Sequence, residues 1–322
     1  MRRVKPPPFT YHRPGSLDEA LAVLAEVGPD GKVLAGGQSL LPILSMRLAA
    51  PRHLVDVNRL AELAYVRSAP DGVRVGALAR HAAVHRDDAA ASAQPLLRQA
   101  LALVAHPTIR NRGTSVGSLA HADPSGELTA VLALTGGSVT LASASGRREV
   151  AAADFFLGPL ESAVGAGELA VEAFFPSLPP RTGTAMVEVS RRHGDYAVCG
   201  VAAAVTLGEN GVPVAARVAY LTMGPVPAVV DVLAVADDAP LPKKPKGRAA
   251  ARADLPSAWA RHAGAAVAGL EPEADVHATA AYRAHLARVL TARALAEASS
   301  AALTALAALT ALTARPSEGT AP

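Results

Sequence analysis

One cysteine, Cys199, stands in 322 residues. A lone thiol closes no disulfide within the chain and cannot supply the several thiolates of an iron–sulfur cluster, so any such cluster belongs to a partner. Aromatic residues make up only 3% of the sequence, which weighs against stacking platforms for nucleic acid. No charge of one sign dominates, since 31 Lys and Arg stand against 28 Asp and Glu for a formal net charge of +3. The one local excess of base, "PKKPKGR" at 242–248, is flanked by proline, has no aromatic neighbours and reads as a solvated loop. No window reads as long and apolar enough to span a bilayer, and the N-terminal "MRRVKPPPFTYHRPG" has charge but no apolar stretch behind it. These absences point to a cytoplasmic chain that touches neither nucleic acid nor membrane.

Half the residues are apolar, many of them alanine, and the chain is too long for one small core. Two domains are expected, with room for subdivision of the first. "SLDEALAVLAEVG" carries a capping box, Ser16 with Glu19, and helical spacing up to Gly28. "KVLAG", "SLLPILSMRLA" and "HLVDV" follow as strand, helix and strand. "AYVRSAPDGVRVGAL" alternates on both sides of Pro70-Asp71-Gly72 as a hairpin does. "PLLRQALALVA" and "ELTAVLAL" read as helices, "SVTLAS" with "RREVAA" as a second hairpin, and "ELAVEAFF" as a closing strand. Between the two helices lies a long stretch rich in Gly, Ser, Asn and His, "HPTIRNRGTSVGSLAHADPSG", read as loop. From Thr184 come "AMVEVS", a hairpin turning at Asn210-Gly211, and two helical segments, the clearer being "TAAYRAHLARVLTARALAEA". Strands followed by helices make this a second α+β domain. The Ala/Leu/Thr tail from Ala301 is helix-prone and ends in "RPSEGTAP", a disordered composition.

Two glycine-bearing segments carry the chemistry. In "LAGGQSL", a strand runs into Gly36-Gly37 and then Gln38-Ser39 at a helix start. Glycines with positive φ let backbone N–H groups form a concave nest suited to phosphate or pyrophosphate. No lysine follows them, so a P-loop is excluded, and "GAGELA" at 165–170 matches a Rossmann pattern but precedes a strand instead of following one. Taken alone, "AGGQS" reads equally as a tight turn. The second segment supplies Gly113, Thr114, Ser115, Gly117 and Ser118, then Asp123. Two such loops suit a dinucleotide, one at its pyrophosphate and one on the flavin side. Asp123 stays open between a site acid and an N-cap of the next helix, and His121 between a residue behind the site and an exposed loop histidine.

"KVLAGGQSLLPILSMRLAAPRHLVDVNR", "HPTIRNRGTSVGSLAHADP", "ADFFLGP", "SRRHGDYA" and "YRAHLARVLTARALAEA", in that order over residues 5–298, resemble the FAD-binding medium subunit of the molybdenum hydroxylases, the group of xanthine dehydrogenase and aerobic carbon monoxide dehydrogenase. The resemblance implies an α+β fold: a bi-lobed PCMH-type FAD-binding domain at 1–177, with lobes of about 1–58 and 59–177, and a smaller C-terminal α+β domain at 178–300, before a tail at 301–322. It implies FAD held by Leu34, Ala35, Gly36, Gly37, Gln38, Ser39 and Leu40 and by Thr114, Ser115, Val116, Gly117 and Ser118. It further implies that Asp123 and Tyr196 lie on the flavin side. It also implies partners: a small subunit with two-iron, two-sulfur clusters and a large molybdopterin subunit, as a dimer of heterotrimers passing electrons to an external acceptor. No residue here is expected to be catalytic or to bind metal; the protein positions the cofactor and tunes it.

Two positions depart from the family pattern. Val116 stands where a glycine is usual, which would cost ~1 kcal/mol or more if that site needs positive φ, and so lower FAD affinity. Glu188 falls where some members carry a cofactor-contacting lysine, and an acid there would oppose the pyrophosphate or reduced flavin. "SRRHGDYA" reads either as an internal ion pair among Arg191, Arg192 and Asp195 or as a turn near the flavin that keeps Tyr196 partly buried. Beside the electron-transfer subunit, two other readings stand: an assembly subunit that has lost FAD through Val116, and a free-standing flavin oxidase.

Overall fold

The computed structural model describes residues 6–236, 239–242 and 255–313. The basic stretch read as a solvated loop, apart from Pro242, and the terminal "RPSEGTAP" lie outside the described residues.

The chain begins with β1 (Thr10–His12), α1 (Leu17–Val27), β2 (Gly31–Leu34), α2 (Leu40–Ser45) and β3 (His53–Asp56). Ser16 Oγ accepts from the Glu19 N–H at 3.2 Å and the Glu19 carboxylate accepts from the Gly15 N–H at 2.7 Å, so orphan donors at the start of α1 are met reciprocally. Gly28, at φ 52°, ends the helix. The three strands form a parallel sheet in the order β1-β3-β2. β1 went unanticipated because prolines and a bare three residues hide its alternation.

A second sheet is antiparallel and ordered β4-β5-β10-β6-β7. It opens with the hairpin β4 (Val66–Ala69) and β5 (Gly72–Gly76), and the chain then runs through α3 (His81–Arg86), α4 (Asp88–Ala93), α5 (Pro95–Leu103), α6 (Pro107–Arg110), α7 (Ser115–His121) and α8 (Glu127–Thr135). The hairpin β6 (Ser138–Ser143) and β7 (Gly146–Ala151) follows, then α9 (Ala152–Phe155), the short pair β8 (Phe156–Gly158) and β9 (Glu161–Ser162), and β10 (Leu169–Pro176). The stretch read as one long loop thus holds two short helices, α6 opened by Pro107 at its first turn and α7 built around a glycine.

The third sheet, β11 (Thr182–Ser190), β12 (Ala197–Leu207), β13 (Pro213–Leu221) and β14 (Ala228–Asp231), is an antiparallel meander backed by α10 (Ala260–Val267) and α11 (Ala280–Thr313). Its two central strands are buried on both faces. Side chains alternate along a strand, so Ala202, Ala219 and Leu221 join the core built by α5 and α8, whereas Val201, Ala203, Val205, Val218 and Tyr220 face α11. Alanines on the first face let the sheet sit close to those helices. Deep under α11, Trp259 Nε1 donates to Ser299 Oγ at 3.0 Å, and Tyr220 and Thr291 share a hydroxyl hydrogen bond of 2.9 Å.

The helix α11 corrects one expectation. Its stretch Ala280–Ala311, with mean hydropathy 1.4, is long and apolar enough by length and composition to cross a membrane. Splitting the sequence at Ala301 hid this, because the helix runs unbroken through that position to Thr313. In the fold, Leu290, Ala294, Leu295, Ala298 and Ala302 are buried in the core under the third sheet, and Arg283 beneath it reaches the Val198 carbonyl at 3.2 Å and Asp275 at 2.7 Å.

Candidate cofactor site

Parallel strands β2 and β3 end side by side, and the first glycine segment leaves the carboxyl end of β2, the edge where open sheets bind ligands. Leu34 closes the strand, Ala35 to Ser39 make the turn, and Leu40 starts α2. The two glycines play different parts. Gly37 takes φ 74°, as expected. Gly36 lies outside the left-handed region and is required for close approach: a Cβ there would lie 2.6 Å from the Arg112 carbonyl oxygen and 2.7 Å from the Gly113 Cα. Two segments 77 residues apart in sequence, from 36 to 113, therefore meet backbone to backbone.

The second segment is held from beneath. His81, 5% exposed, donates its backbone N–H to the Gly113 carbonyl at 3.0 Å, and its Nδ1 lies 3.3 Å from Ser115 Oγ. Burial pushes the imidazole down to about 4, so the ring is neutral at physiological pH. Thr114 precedes α7 and is 3% exposed, yet its Oγ1 has no hydrogen-bond partner. Gly117 leaves room for that hydroxyl, since a Cβ there would sit 2.4 Å from it. Ser118 donates its N–H back to the Thr114 carbonyl at 3.0 Å.

Val116 does not do what its departure from the family pattern suggested. It lies in α7 without positive φ, is 1% exposed and packs in the large core with Leu119 and Leu128. Its side chain therefore points into the protein, and the ground for a lost-FAD assembly subunit goes with it.

At the far end of α7, Asp123 accepts from the Ser125 N–H at 2.8 Å and so forms a turn; the N-cap of α8 is Gly126, which corrects the capping alternative. His121 is the last residue of α7 and half-buried. Tyr196 comes to Asp123 from the turn between β11 and β12. Desolvation at the hydroxyl end, with the carboxylates of Asp123 and Glu127 beside it, raises the phenol's pKa, although the residue as a whole is 66% exposed. The expectation of a partly buried aromatic holds at the hydroxyl end, beside the acids, while most of the side chain is exposed. The proposed ion pair fails: among the described residues no salt bridge joins Arg191, Arg192 and Asp195, and Arg191 reaches His277 at 3.4 Å.

Glu127, at the start of α8, and Glu188, on β11, lie near enough for the charge of Glu188 to act on Glu127. Burial, then the charges of Glu188 and Asp123, pushes the Glu127 carboxyl up to about 8; burial pushes Glu188 to about 7, with its Oε2 buried and unpartnered. With its carboxyl pushed to about 7, Glu188 is only partly ionised at neutral pH, and its repulsion of an anion is weakened accordingly. Both acids hold protons in the folded chain that the unfolded chain releases near 4.5, so stability falls as pH rises from about 4.5 to about 8. Urea unfolding of the flavin-free chain against Glu127→Gln/Glu188→Gln should show a gap of about 1–2 kcal/mol opening across that window, solvent screening at half-buried sites limiting its size. A constant gap would contradict the paired-acid description.

Two residues that sequence reasoning missed join the glycine segments. Asn58 Nδ2 donates to the Ala35 carbonyl at 2.8 Å, and its Oδ1 accepts from Arg80 Nη2 at 2.6 Å. Arg80 Nη1 then donates to the Arg112 carbonyl at 2.6 Å. The strand-end rule would have found Asn58, two residues past β3; nothing local marks Arg80.

The chain matches two family models, "FAD binding domain in molybdopterin dehydrogenase" over residues 7–178 and "CO dehydrogenase flavoprotein C-terminal domain" over 184–298. It is 40% identical to the 6-hydroxypseudooxynicotine dehydrogenase complex subunit alpha of Paenarthrobacter nicotinovorans, covering 92% of this chain and 96% of that one. It is 34% identical to the carbon monoxide dehydrogenase medium chain of Hydrogenophaga pseudoflava, over 90% and 96% of the two chains. Among solved structures, quinoline 2-oxidoreductase from Pseudomonas putida 86 contains a chain that superposes with a TM-score of 0.83 at 36% identity, over 93% of this chain and 99% of that one. With its paired glycine segments and a match along nearly its whole length, the chain belongs to the family of FAD-binding medium subunits of the molybdenum hydroxylases.

Proposed function

We propose that this chain holds FAD between its two glycine segments, as the redox subunit of an oxidoreductase complex. The observation that carries the reading is the backbone contact of Gly36 with Gly113, beside a buried Thr114 hydroxyl that lacks a partner. Leu34 to Leu40 and Thr114 to Ser118 line the pyrophosphate; Val116 contributes backbone alone. Asp123 and Tyr196 take the flavin end, Tyr196 from the third sheet. In this reading residues 1–177 form the FAD domain, with lobes of about 1–58 and 59–177, and 178–300 form the domain that supplies Tyr196.

When bound, FAD supplies two-electron redox capacity between a donor and an external acceptor. The chain's own residues orient it: the glycines admit the diphosphate, and the neutral His81 supports the second loop without placing a charge there. The donor in this reading is a small subunit with two-iron, two-sulfur clusters, fed by a large molybdopterin subunit, in a cytoplasmic dimer of heterotrimers. The lone Cys199 fits, because it is fully buried and its thiol is pushed up to about 12 by burial, so the clusters must lie elsewhere.

Substrate-driven dye reduction tests this division of labour. The complex co-expressed with its two partner subunits should reduce an artificial acceptor, whereas the isolated chain should not. Turnover by the isolated chain would overturn the proposal in favour of a self-contained flavin oxidase.

A further inference from the structure

We propose that Asn58 and Arg80 form a positioning clamp that sets the separation of the two glycine segments, and thereby the chain's affinity for the dinucleotide. The inference deepens the FAD reading above and rests on it. A diphosphate that bridges two loops is bound well only if both loops present their backbone groups at the right separation. Backbone packing at Gly36 fixes how close the loops can come, but steric contact alone does not stop them from drifting apart. A polar tie is needed for that.

The tie runs in series from Ala35 O to Asn58 Nδ2 at 2.8 Å, from Asn58 Oδ1 to Arg80 Nη2 at 2.6 Å, and from Arg80 Nη1 to Arg112 O at 2.6 Å. Both of its members are anchored. The Asn58 amide also donates to Asp56 Oδ1 at 2.6 Å, its backbone N–H donates to the same oxygen at 2.9 Å, and Asp56 in turn accepts from the Tyr11 hydroxyl at 2.5 Å. That set of partners fixes which end of the amide faces Arg80. Arg80 is anchored by its own backbone, which bridges Thr114, while Ala79 beside it accepts from the Ser115 N–H at 3.2 Å. One residue thus carries the second segment on its main chain and, through Asn58, ties it to the first with its side chain. The fork of a guanidinium suits the task, because two rigidly spaced N–H groups satisfy two acceptors at once; a lysine has no such geometry.

A series tie makes a distinctive prediction: breaking any link breaks all of it. Asn58→Ala, Arg80→Ala, the double variant and Arg80→Lys are made in the full chain, and the dissociation constant for FAD is read by quenching of flavin fluorescence, with thermal melts of the flavin-free proteins as a folding control. Each single variant is expected to weaken FAD binding about tenfold. The double variant should be no weaker than either single, and Arg80→Lys should resemble Arg80→Ala. Losses that multiply in the double variant would overturn the clamp, as would rescue by lysine, which would mean that charge alone matters. Loss in Arg80→Ala but not in Asn58→Ala would overturn it too, assigning Arg80 to the ligand directly. Gly36→Ala, measured alongside, separates the two levels: FAD retained by that variant refutes the cradle itself, whereas FAD lost there but unaffected by Asn58→Ala refutes only the clamp. Should Asn58→Ala not fold, Arg80→Lys carries the test.

Discussion

Alanine at position 36 is expected to strip the chain of FAD. The added methyl would lie 2.6 Å from the Arg112 carbonyl oxygen, 2.7 Å from the Gly113 Cα and 3.0 Å from the Thr114 nitrogen, all main-chain atoms that cannot rotate away. The loops must therefore part. Overpacking of this kind costs about 1–3 kcal/mol in a packed site, and a cradle opened by that strain meets the diphosphate with one loop at a time. We expect FAD affinity to fall a hundredfold or more, which is about 2.7 kcal/mol, and the purified variant to be nearly colourless while its flavin-free melting temperature drops only by a few degrees. The flavin-to-protein absorbance ratio reads this directly. A yellow, stoichiometric Gly36→Ala variant would mean that the loops need not touch.

Glycine at position 116 is expected to do the opposite of what the family pattern suggests. Restoring the usual residue looks like a repair, but the side chain it removes is 1% exposed in the main core. Losing a buried valine side chain costs about 2–3 kcal/mol in transfer and cavity terms, and glycine inside a helix adds about 1 kcal/mol. Val116→Gly should therefore lower stability by about 3–4 kcal/mol, visible as a large fall in urea midpoint, while FAD affinity stays within about threefold of the parent once the variant is folded. A variant that gained tenfold in FAD affinity without losing stability would show that Val116 does obstruct the cradle.

These two positions also mark how far the sequence could be read. The glycine at 36 was legible as a site residue, since a strand, two glycines and a helix start narrow the local choices. Its reason was not, because it answers to Arg112 and Gly113 and not to its own φ. Val116 was misjudged for the same cause: a motif comparison marks a departure without saying which way a side chain points, and a quarter-turn of α7 decides between cradle and core. The long periodic elements were readable from their spacing, from α1 with its capping box to the hairpin at Asn210-Gly211. The short helices α3, α4, α6 and α7 were not, being four to seven residues long, too short to show a helical period, with α6 opened by a proline and α7 interrupted by a glycine. Nor were contacts between distant segments that no motif joins, such as Arg80 on Asn58.

The role of this chain turns on whether it itself carries the flavin. An absorption spectrum of the purified full-length protein, followed by denaturation and identification of what is released, tests it most directly. Flavin bands in the folded protein and one FAD released per chain are expected. A folded protein that stays colourless after incubation with FAD, both alone and together with its partner subunits, would contradict it.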